Sequence, residues 1–327
     1  MRSFLIDGFG SIGKQYGHII SSLVTSEDKV YIFDPYLQRS LADIFPSFVF
    51  LTTLDSIPDC IDFTIICSPT GTHVDKVVFY LSKSSKILVE KPLAVTAEEI
   101  AKCDLMLSRD PSLLNRVFVS SPRRFSCSFI SLLTDSSHLA SNATNGFFRF
   151  SHSIRRMRGI NWRDNYVLDS NLFYPHPLVF DCIHELDISS VLFGPINSIS
   201  ILSAPSYLSS SVNLQYSLKA YHSNDKNYSF HYFDFLSDLK IREFSIHSPT
   251  GTFSSIELGK TTTSVITNIC TDIHDGQSMM QQTTNTTLVD NTLKLQLLAF
   301  LADPIHIESF CSVTSALSTA KALISAS

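Results

Sequence analysis

The sequence predicts an α/β protein: an N-terminal doubly wound parallel sheet, then an α+β domain whose open-faced sheet is mainly antiparallel. Three observations predict this. Strand-like and helical segments alternate strictly as far as residue 120, and such alternation builds a parallel sheet covered by helices on both faces. A glycine-rich turn, Gly8-Phe9-Gly10-Ser11-Ile12-Gly13, joins the first strand to the first helix. From residue 147 the pattern changes to period-two strands with short connections, which favours antiparallel pairing. One boundary divides the chain into domains 1–121 and 122–327.

Phe4-Leu5-Ile6 is the first strand. The helix over 12–24 sets Ile12, Tyr16, Ile19, Ile20 and Leu23 at helical spacing. Strands at 29–34 and 48–51 flank a short helix at 37–45. A fourth strand over 62–67 stops at Ser68-Pro69-Thr70-Gly71, and a helix over 74–81 leads to the fifth strand at 86–90. A helix over 96–107 and a sixth strand at 116–120 complete the first domain. In the second, residues 212–220 alternate apolar and polar side chains without a break, the mark of a half-buried strand. Segments 147–154, 199–202, 228–233, 239–246 and 252–258 read similarly. The Ser/Thr-rich stretch 261–287 is polar enough to be a loop or a mobile edge. Phe310, Val313, Leu317, Ala320 and Ile324 form one helical stripe near the C-terminus. Tyr216, Phe230 and Tyr232 leave the outer face of the second sheet less than fully solvated, which points to a homo-oligomer, a dimer or tetramer.

The 327 residues suffice for two domains, and 44% hydrophobic against 17% charged residues is a globular composition. A net charge of −5 gives no reason to expect nucleic acid or an anionic membrane as partner. Apolar runs such as 63–67 are too short to span a bilayer, and the N-terminus does not read as a signal peptide. The Asn-x-Ser/Thr triplets at Asn142, Asn227 and Asn285 therefore carry little weight. The seven cysteines are odd in number and lack a CxxC pair, which points to reduced thiols in a cytoplasmic protein. The eleven histidines include no HxxxH pair, so no metal site is expected.

The glycine turn has a mechanism only between a strand and a helix, and that is where it lies. Gly8 permits the tight turn, Gly10 leaves room for a pyrophosphate, and Gly13 lets the helix pack closely on the strand. Ser11 and Ile12 open the helix, whose N-terminus offers unpaired N–H groups and a partial positive charge. Asp34, at the end of the second strand, can accept both ribose hydroxyls of an adenosine and repels a 2′-phosphate. The cofactor is therefore expected to be NAD rather than NADP. Asp7 stands where an apolar or small residue is usual.

Two further segments lie at carboxyl ends of parallel strands, where open α/β sheets bind ligands. One is Ser68-Pro69-Thr70-Gly71-Thr72-His73, the other Glu90-Lys91-Pro92-Leu93-Ala94. The latter sets Lys91 at the mouth of the nicotinamide pocket, with Pro92 giving a rigid turn. Ser68, Pro69, Thr70, His73, Glu90 and Lys91 are thus candidates to line the cofactor.

With these segments, Asp181-Cys182-Ile183-His184-Glu185-Leu186-Asp187 and the following Val191-Leu192-Phe193-Gly194, the chain resembles the glucose–fructose oxidoreductase/inositol dehydrogenase (Gfo/Idh/MocA) family over nearly its whole length. The helix motif is similar to the family's SHEID version, common in enzymes handling sugars or nucleotide sugars for surface polysaccharides. The resemblance implies a Rossmann domain, a second domain with one sheet face open for dimer contacts, and a catalytic triad of Lys91, Asp181 and His184. Alcohol oxidation suits these groups. His184 takes the hydroxyl proton, Lys91 holds the same oxygen, and Asp181 orients the imidazole. Trp162-Arg163-Asp164-Asn165-Tyr166 resembles the family's substrate loop, and Arg123-Arg124-Phe125 its segment after the sixth strand. Arg124, Arg163 and Tyr166 are candidates for substrate contact, with a surface role as the alternative.

The family's glycine-rich stretch before the aspartate is replaced here by residues 171–180, rich in proline and aromatics. Three readings stay open. The first is an NAD-dependent sugar or nucleotide-sugar oxidoreductase. The second is a catalytically silent dinucleotide-binding protein, and the third a reductase of a non-sugar substrate such as a bilin or an imine.

Overall fold

In the computed structural model the described residues are 1–36, 45–153, 182–203, 215–223, 227–258, 261–271, 278–288, 291–302 and 307–326. The chain divides into two compact units. One comprises Met1–Pro122 with Thr292–Leu317, the other Arg123–Asn291 with Ser318–Ser327. A single boundary at 121/122 leaves Thr292–Leu317 with the second domain, whereas it packs in the first unit.

The first unit is built on β1 (Ser3–Asp7), β2 (Lys29–Phe33), β3 (Val49–Leu51), β4 (Ile61–Ile66), β5 (Ser84–Val89), β6 (Val117–Val119) and β15 (Cys311–Ser312). Their order is β15-β6-β5-β4-β1-β2-β3. Neighbours pair in parallel except β15, which adds an antiparallel edge to β6. The central strands carry continuous apolar runs because helices cover both faces. Leu5, Ile6, Ile65, Ile66, Leu88 and Val89 are all buried. The crossover helices are α1 (Ser11–Ser21), α2 (His73–Tyr80) and α3 (Ala97–Arg109). A capping box starts α3: the Glu99 amide donates to Thr96 Oγ1 at 3.1 Å, and the Thr96 amide to Glu99 Oε2 at 3.1 Å. The short helix expected at 37–45 falls almost wholly outside the described residues.

The second unit contains α4 (Cys127–Thr134), α5 (Ser137–Ser141) and α6 (Ile183–Phe193). Its strands are β7 (Asn145–Ser151), β8 (Ile196–Ser203), β9 (Gln215–His222), β10 (Tyr228–Asp234), β11 (Ile241–Ser248), β12 (Gly251–Leu258), β13 (Thr261–Thr271) and β14 (Ser278–Leu288). The order is β14-β13-β12-β11-β7-β10-β9-β8, antiparallel throughout except for the β7–β10 pair. Phe148, Ile246 and Phe253 pack from the sheet against Phe129, Leu132, Leu139, Ile188 and Phe193 of the helices. Residues along β9 and β10 alternate between this buried face and an open one.

Three expectations change. The Ser/Thr-rich stretch is a pair of eleven-residue strands, with β14 at the sheet edge. Threonine is β-branched, and repeated cross-strand pairs such as Thr263–Thr286 suit a pleated surface despite the polarity. Tyr216 belongs to the buried face opposite Phe233, so it takes no part in the open face that carries Phe230. The C-terminal helix, α8 (Val313–Ile324), begins after Phe310, and an unexpected helix, α7 (Thr292–Phe300), precedes it.

Candidate cofactor and active site

Gly8 sits at φ +91°, a left-handed backbone that favours glycine. A Cβ there would lie 2.5 Å from the Ser68 amide nitrogen. The Gly8 amide donates to the Phe33 carbonyl at 2.8 Å, tying the turn to β2. A Cβ on Gly13 would fall 2.1 Å from the Gly8 carbonyl, so this contact between helix and turn excludes any side chain. Gly10, by contrast, faces open space. It is the N-cap of α1 and brings no side chain to the first helical amides, which leaves them able to meet an anion. Asp34 closes the arrangement: its Oδ2 accepts from the Phe9 amide at 2.8 Å and its Oδ1 from the Tyr36 amide at 2.9 Å. Each oxygen keeps a further lone pair. The residues fit a dinucleotide with a free ribose.

The structure also gives Asp7 a role. Its Oδ2 accepts from the Tyr80 hydroxyl at 2.6 Å and pairs with Lys76 Nζ at 2.9 Å, while its carbonyl accepts from the Cys67 amide at 2.7 Å. Asp7 thus ties the middle and C-terminal end of α2 to the end of β1. Burial raises its pKa, against the lowering effects of Tyr80 and Lys76. Burial also pushes the Cys67 thiol well above its usual range, with the charges of Glu90 and Asp7 adding to the effect. That environment disfavours the thiolate, which suits a packing role.

At the two strand ends, His73 is almost wholly buried. Its Nδ1 lies 2.8 Å from the Pro92 carbonyl and its Nε2 lies 2.8 Å from the Ser68 carbonyl. The ring nitrogens face protein carbonyls, so His73 lies between the loop after β4 and the loop after β5, and the neutral ring donates to one of the two carbonyls according to its tautomer. Burial lowers its pKa, and the two carbonyls oppose that shift. Thr72 Oγ1 donates to Ser68 Oγ at 2.9 Å and to the Pro69 carbonyl at 2.7 Å. The Lys91–Pro92 peptide is cis. Glu90 Oε1 accepts from the Tyr16 hydroxyl at 2.9 Å. Behind Tyr16 lies the buried Gln296 of α7, whose Nε2 is 3.1 Å from the Tyr16 hydroxyl and 3.1 Å from Ser120 Oγ. Its Oε1 accepts from the Ser121 amide at 2.7 Å. Sequence reading gave Tyr16 only a packing place and missed Gln296. A lone glutamine among leucines was the available signal.

In the second unit, α6 is buried at Ile183 and from Glu185 through Ser190, while His184 between them is part exposed. Arg124 is not open to a substrate. Its Nε and Nη2 bind Asp187 Oδ2 and Oδ1 at 2.8 and 2.6 Å, and both side chains are 9% exposed. Glu185 pairs with Arg242, and Glu257 pairs with Arg123 at 2.6 Å. Asp181, Arg163 and Tyr166 lie outside the described residues, as does the segment that replaces the glycine-rich stretch. Among the described residues no group of histidine, cysteine and carboxylate side chains could hold a metal ion. No described helix is long and apolar enough to cross a membrane.

Residues 2–114 match the family described as an oxidoreductase family with an NAD-binding Rossmann fold, Gfo/Idh/MocA. The match covers about a third of the chain and lies within its first unit. An inositol 2-dehydrogenase of Mycolicibacterium gilvum is 27% identical over 205 residues, which are 60% of this chain and 53% of that protein. The chain thus spans about half the length of this curated relative. Solved structures match in fold over almost the entire chain. The UDP-N-acetylglucosamine 3-dehydrogenase of Acidithiobacillus ferrooxidans aligns with a TM-score of 0.76 at 15% identity, over 99% of this chain and 96% of its own. A myo-inositol dehydrogenase of Corynebacterium glutamicum gives 0.72 at 16%, over 99% and 93%. An oxidoreductase of Agrobacterium radiobacter, in complex with NAD+, L-tartaric acid and magnesium, gives 0.75 at 14%, over 99% and 95%.

Proposed function

We propose that this protein is a Gfo/Idh/MocA dehydrogenase that, with NAD as hydride carrier, interconverts a secondary alcohol and a ketone on a sugar or nucleotide sugar. Surface polysaccharide synthesis is the proposed setting, and a cytoplasmic compartment agrees with the free cysteines among the described residues. The observation that carries the reading is His184. A helix histidine with a packing role is buried like its neighbours, whereas His184 keeps solvent access within a buried run. In this reading His184 accepts the hydroxyl proton, Lys91 steadies negative charge growing on the same oxygen, and Asp181 fixes the imidazole. The glycine turn and the α1 N-terminus hold the pyrophosphate, and Asp34 holds the adenosine ribose.

The relatives named for inositol and UDP-N-acetylglucosamine supply the first substrates to try, with NADH formation as the readout. Lys91→Ala and His184→Ala should spare cofactor binding and remove turnover, by ~10²–10³-fold and ~10²–10⁴-fold respectively. The two losses should not add, because the groups act as a unit. Turnover near the wild-type rate in either variant overturns the assignment. Tight NAD binding with no turnover across a broad sugar panel would favour the silent binding protein.

We also propose a homodimer or homotetramer formed through the open face of the second sheet. Phe230, Ile256 and Leu258 are 37%, 41% and 52% exposed. Lys219 Nζ stands 4.4 Å from the Tyr228 ring centroid and 5.5 Å from that of Phe230. A light-scattering mass of 36.5 kDa at micromolar concentration would refute it.

A further inference from the structure

We infer that Tyr16, Gln296 and His73 are positioning residues that hold the Glu90-Lys91-Pro92 turn from both sides. The inference rests on the reading of Lys91 as the group that meets the reacting oxygen. On one side the donors run in a fixed sequence. The Ser121 amide can only donate, so the Gln296 carbonyl oxygen must face it, and the amide NH₂ must face Tyr16 and Ser120. The Tyr16 hydroxyl, accepting from Gln296, directs its own proton to the Glu90 carboxylate. Burial, followed by the nearby Glu90 charge, raises the Tyr16 pKa well above the ordinary range, so the phenol stays a donor. Tyr16 and Gln296 are fully buried, and a buried chain of this kind holds its members in one arrangement. On the other side His73, in the tautomer protonated at Nδ1, donates to the Pro92 carbonyl, one residue beyond Lys91. The backbone that carries Lys91 is thus gripped at the residue before it and at the residue after it. The grips come from three separate segments: α1, α7 and the start of α2.

The test reads the turn without needing a substrate. Acetylation of Lys91 by acetic anhydride, followed by mass spectrometry, is compared in the full-length wild type, Tyr16→Phe, Gln296→Met and His73→Phe. Lys29, exposed at the start of β2, serves as internal reference. Ile20→Val, a buried change on the same helix as Tyr16, controls for general loosening. The emission of bound NADH is recorded for each variant. Tyr16→Phe and at least one of the others should change the Lys91-to-Lys29 rate ratio by about fivefold, the scale of one lost hydrogen bond, and alter the NADH emission. Ile20→Val should do neither. Ratios like the wild type in all three variants, or an equal response in Ile20→Val, overturn the inference. If the ratios respond but Lys91→Ala keeps its turnover, the grip stands and the catalytic assignment of Lys91 falls.

Discussion

Asp34 is the proposed basis of the cofactor preference, and its surroundings define what a substitution removes. Two backbone amides, of Phe9 and Tyr36, aim the carboxylate and hold the glycine turn to the end of β2. Asp34→Ala therefore deletes ribose acceptors and repulsion of a 2′-phosphate together. Preference for NADH over NADPH should narrow by roughly 10- to 100-fold, the range for hydrogen bonds to a charged group. Fluorescence titration of both cofactors checks this, and an unchanged ratio would remove Asp34 from the specificity argument. Asp7 is a separate case. It bonds to α2 and offers no oxygen to a ligand, so its loss should be felt in stability. Asp7→Ala leaves the Lys76 ammonium and the Tyr80 hydroxyl without their partner and should cost about 3 kcal/mol. Asp7→Leu combined with Lys76→Met should recover much of that in urea unfolding, since neither buried charge then remains.

At the scale of elements, Arg124 shows how a candidate for substrate contact can be engaged by its own fold. Its fork binds Asp187 of α6 in a buried bidentate pair. Arg124→Met should lower stability by about 3–5 kcal/mol, because the buried Asp187 carboxylate then loses its bidentate guanidinium partner. A variant that instead keeps its melting temperature and loses only substrate affinity would restore the substrate role. The pairing was illegible in the sequence because 63 residues separate the two side chains. The parallel sheet was legible because its signals are local: short, mainly apolar strands, glycine or proline soon after most of them, and helical spacing between them. Helix α7 was not, because Leu293, Leu295 and Leu297 alternate with polar residues as a strand would. That hid Gln296 and with it the support behind Glu90. The β13–β14 hairpin was hidden by composition, since threonine is both a common loop residue and a good strand former. Of the candidate site, the glycine turn, Asp34 and the strand-end loops could be located from spacing alone. Asp7, Lys76 and Tyr80 meet only once β1 and α2 are packed.

At the scale of the whole molecule, buried histidines should set how the protein responds to acid. In the second sheet His222 Nδ1 lies 2.7 Å from the Gly194 carbonyl, and its Nε2 lies 2.9 Å from Ser229 Oγ. That hydroxyl lies 2.8 Å from His231 Nε2. With His222 donating to the carbonyl, Ser229 donates to His222 and accepts from His231. His231 Nδ1 is then left as a buried lone pair with no hydrogen-bond partner. A proton placed there would be buried without an acceptor, against the ring of Phe148 stacked at 4.9 Å. Burial, with a smaller contribution from His222, accordingly pushes the His231 pKa down to about 3 from 6.5. Burial lowers the His222 and His73 values as well. The sign follows from proton counts. Between pH 6.5 and about 3 the unfolded chain binds a proton at His231 that the folded chain refuses. Stability must therefore fall as pH drops through that window. From pH 7 to pH 5 His231 alone should remove about 2 kcal/mol, at ~1.4 kcal/mol per pH unit below 6.5. Staying at or above pH 5 keeps most carboxylates ionised and out of the comparison. His231→Phe preserves the ring against Phe148, leaves Ser229 bonded to His222, and removes the titrating group. Urea unfolding at the two pH values should show a clearly smaller acid loss in this variant than in the wild type. Hydrogen exchange over Tyr228–Asp234 should report the same difference locally. An equal acid loss in the two proteins would mean that His231 takes up its proton in the folded state, and the neutral Ser229–histidine chain would have to be abandoned.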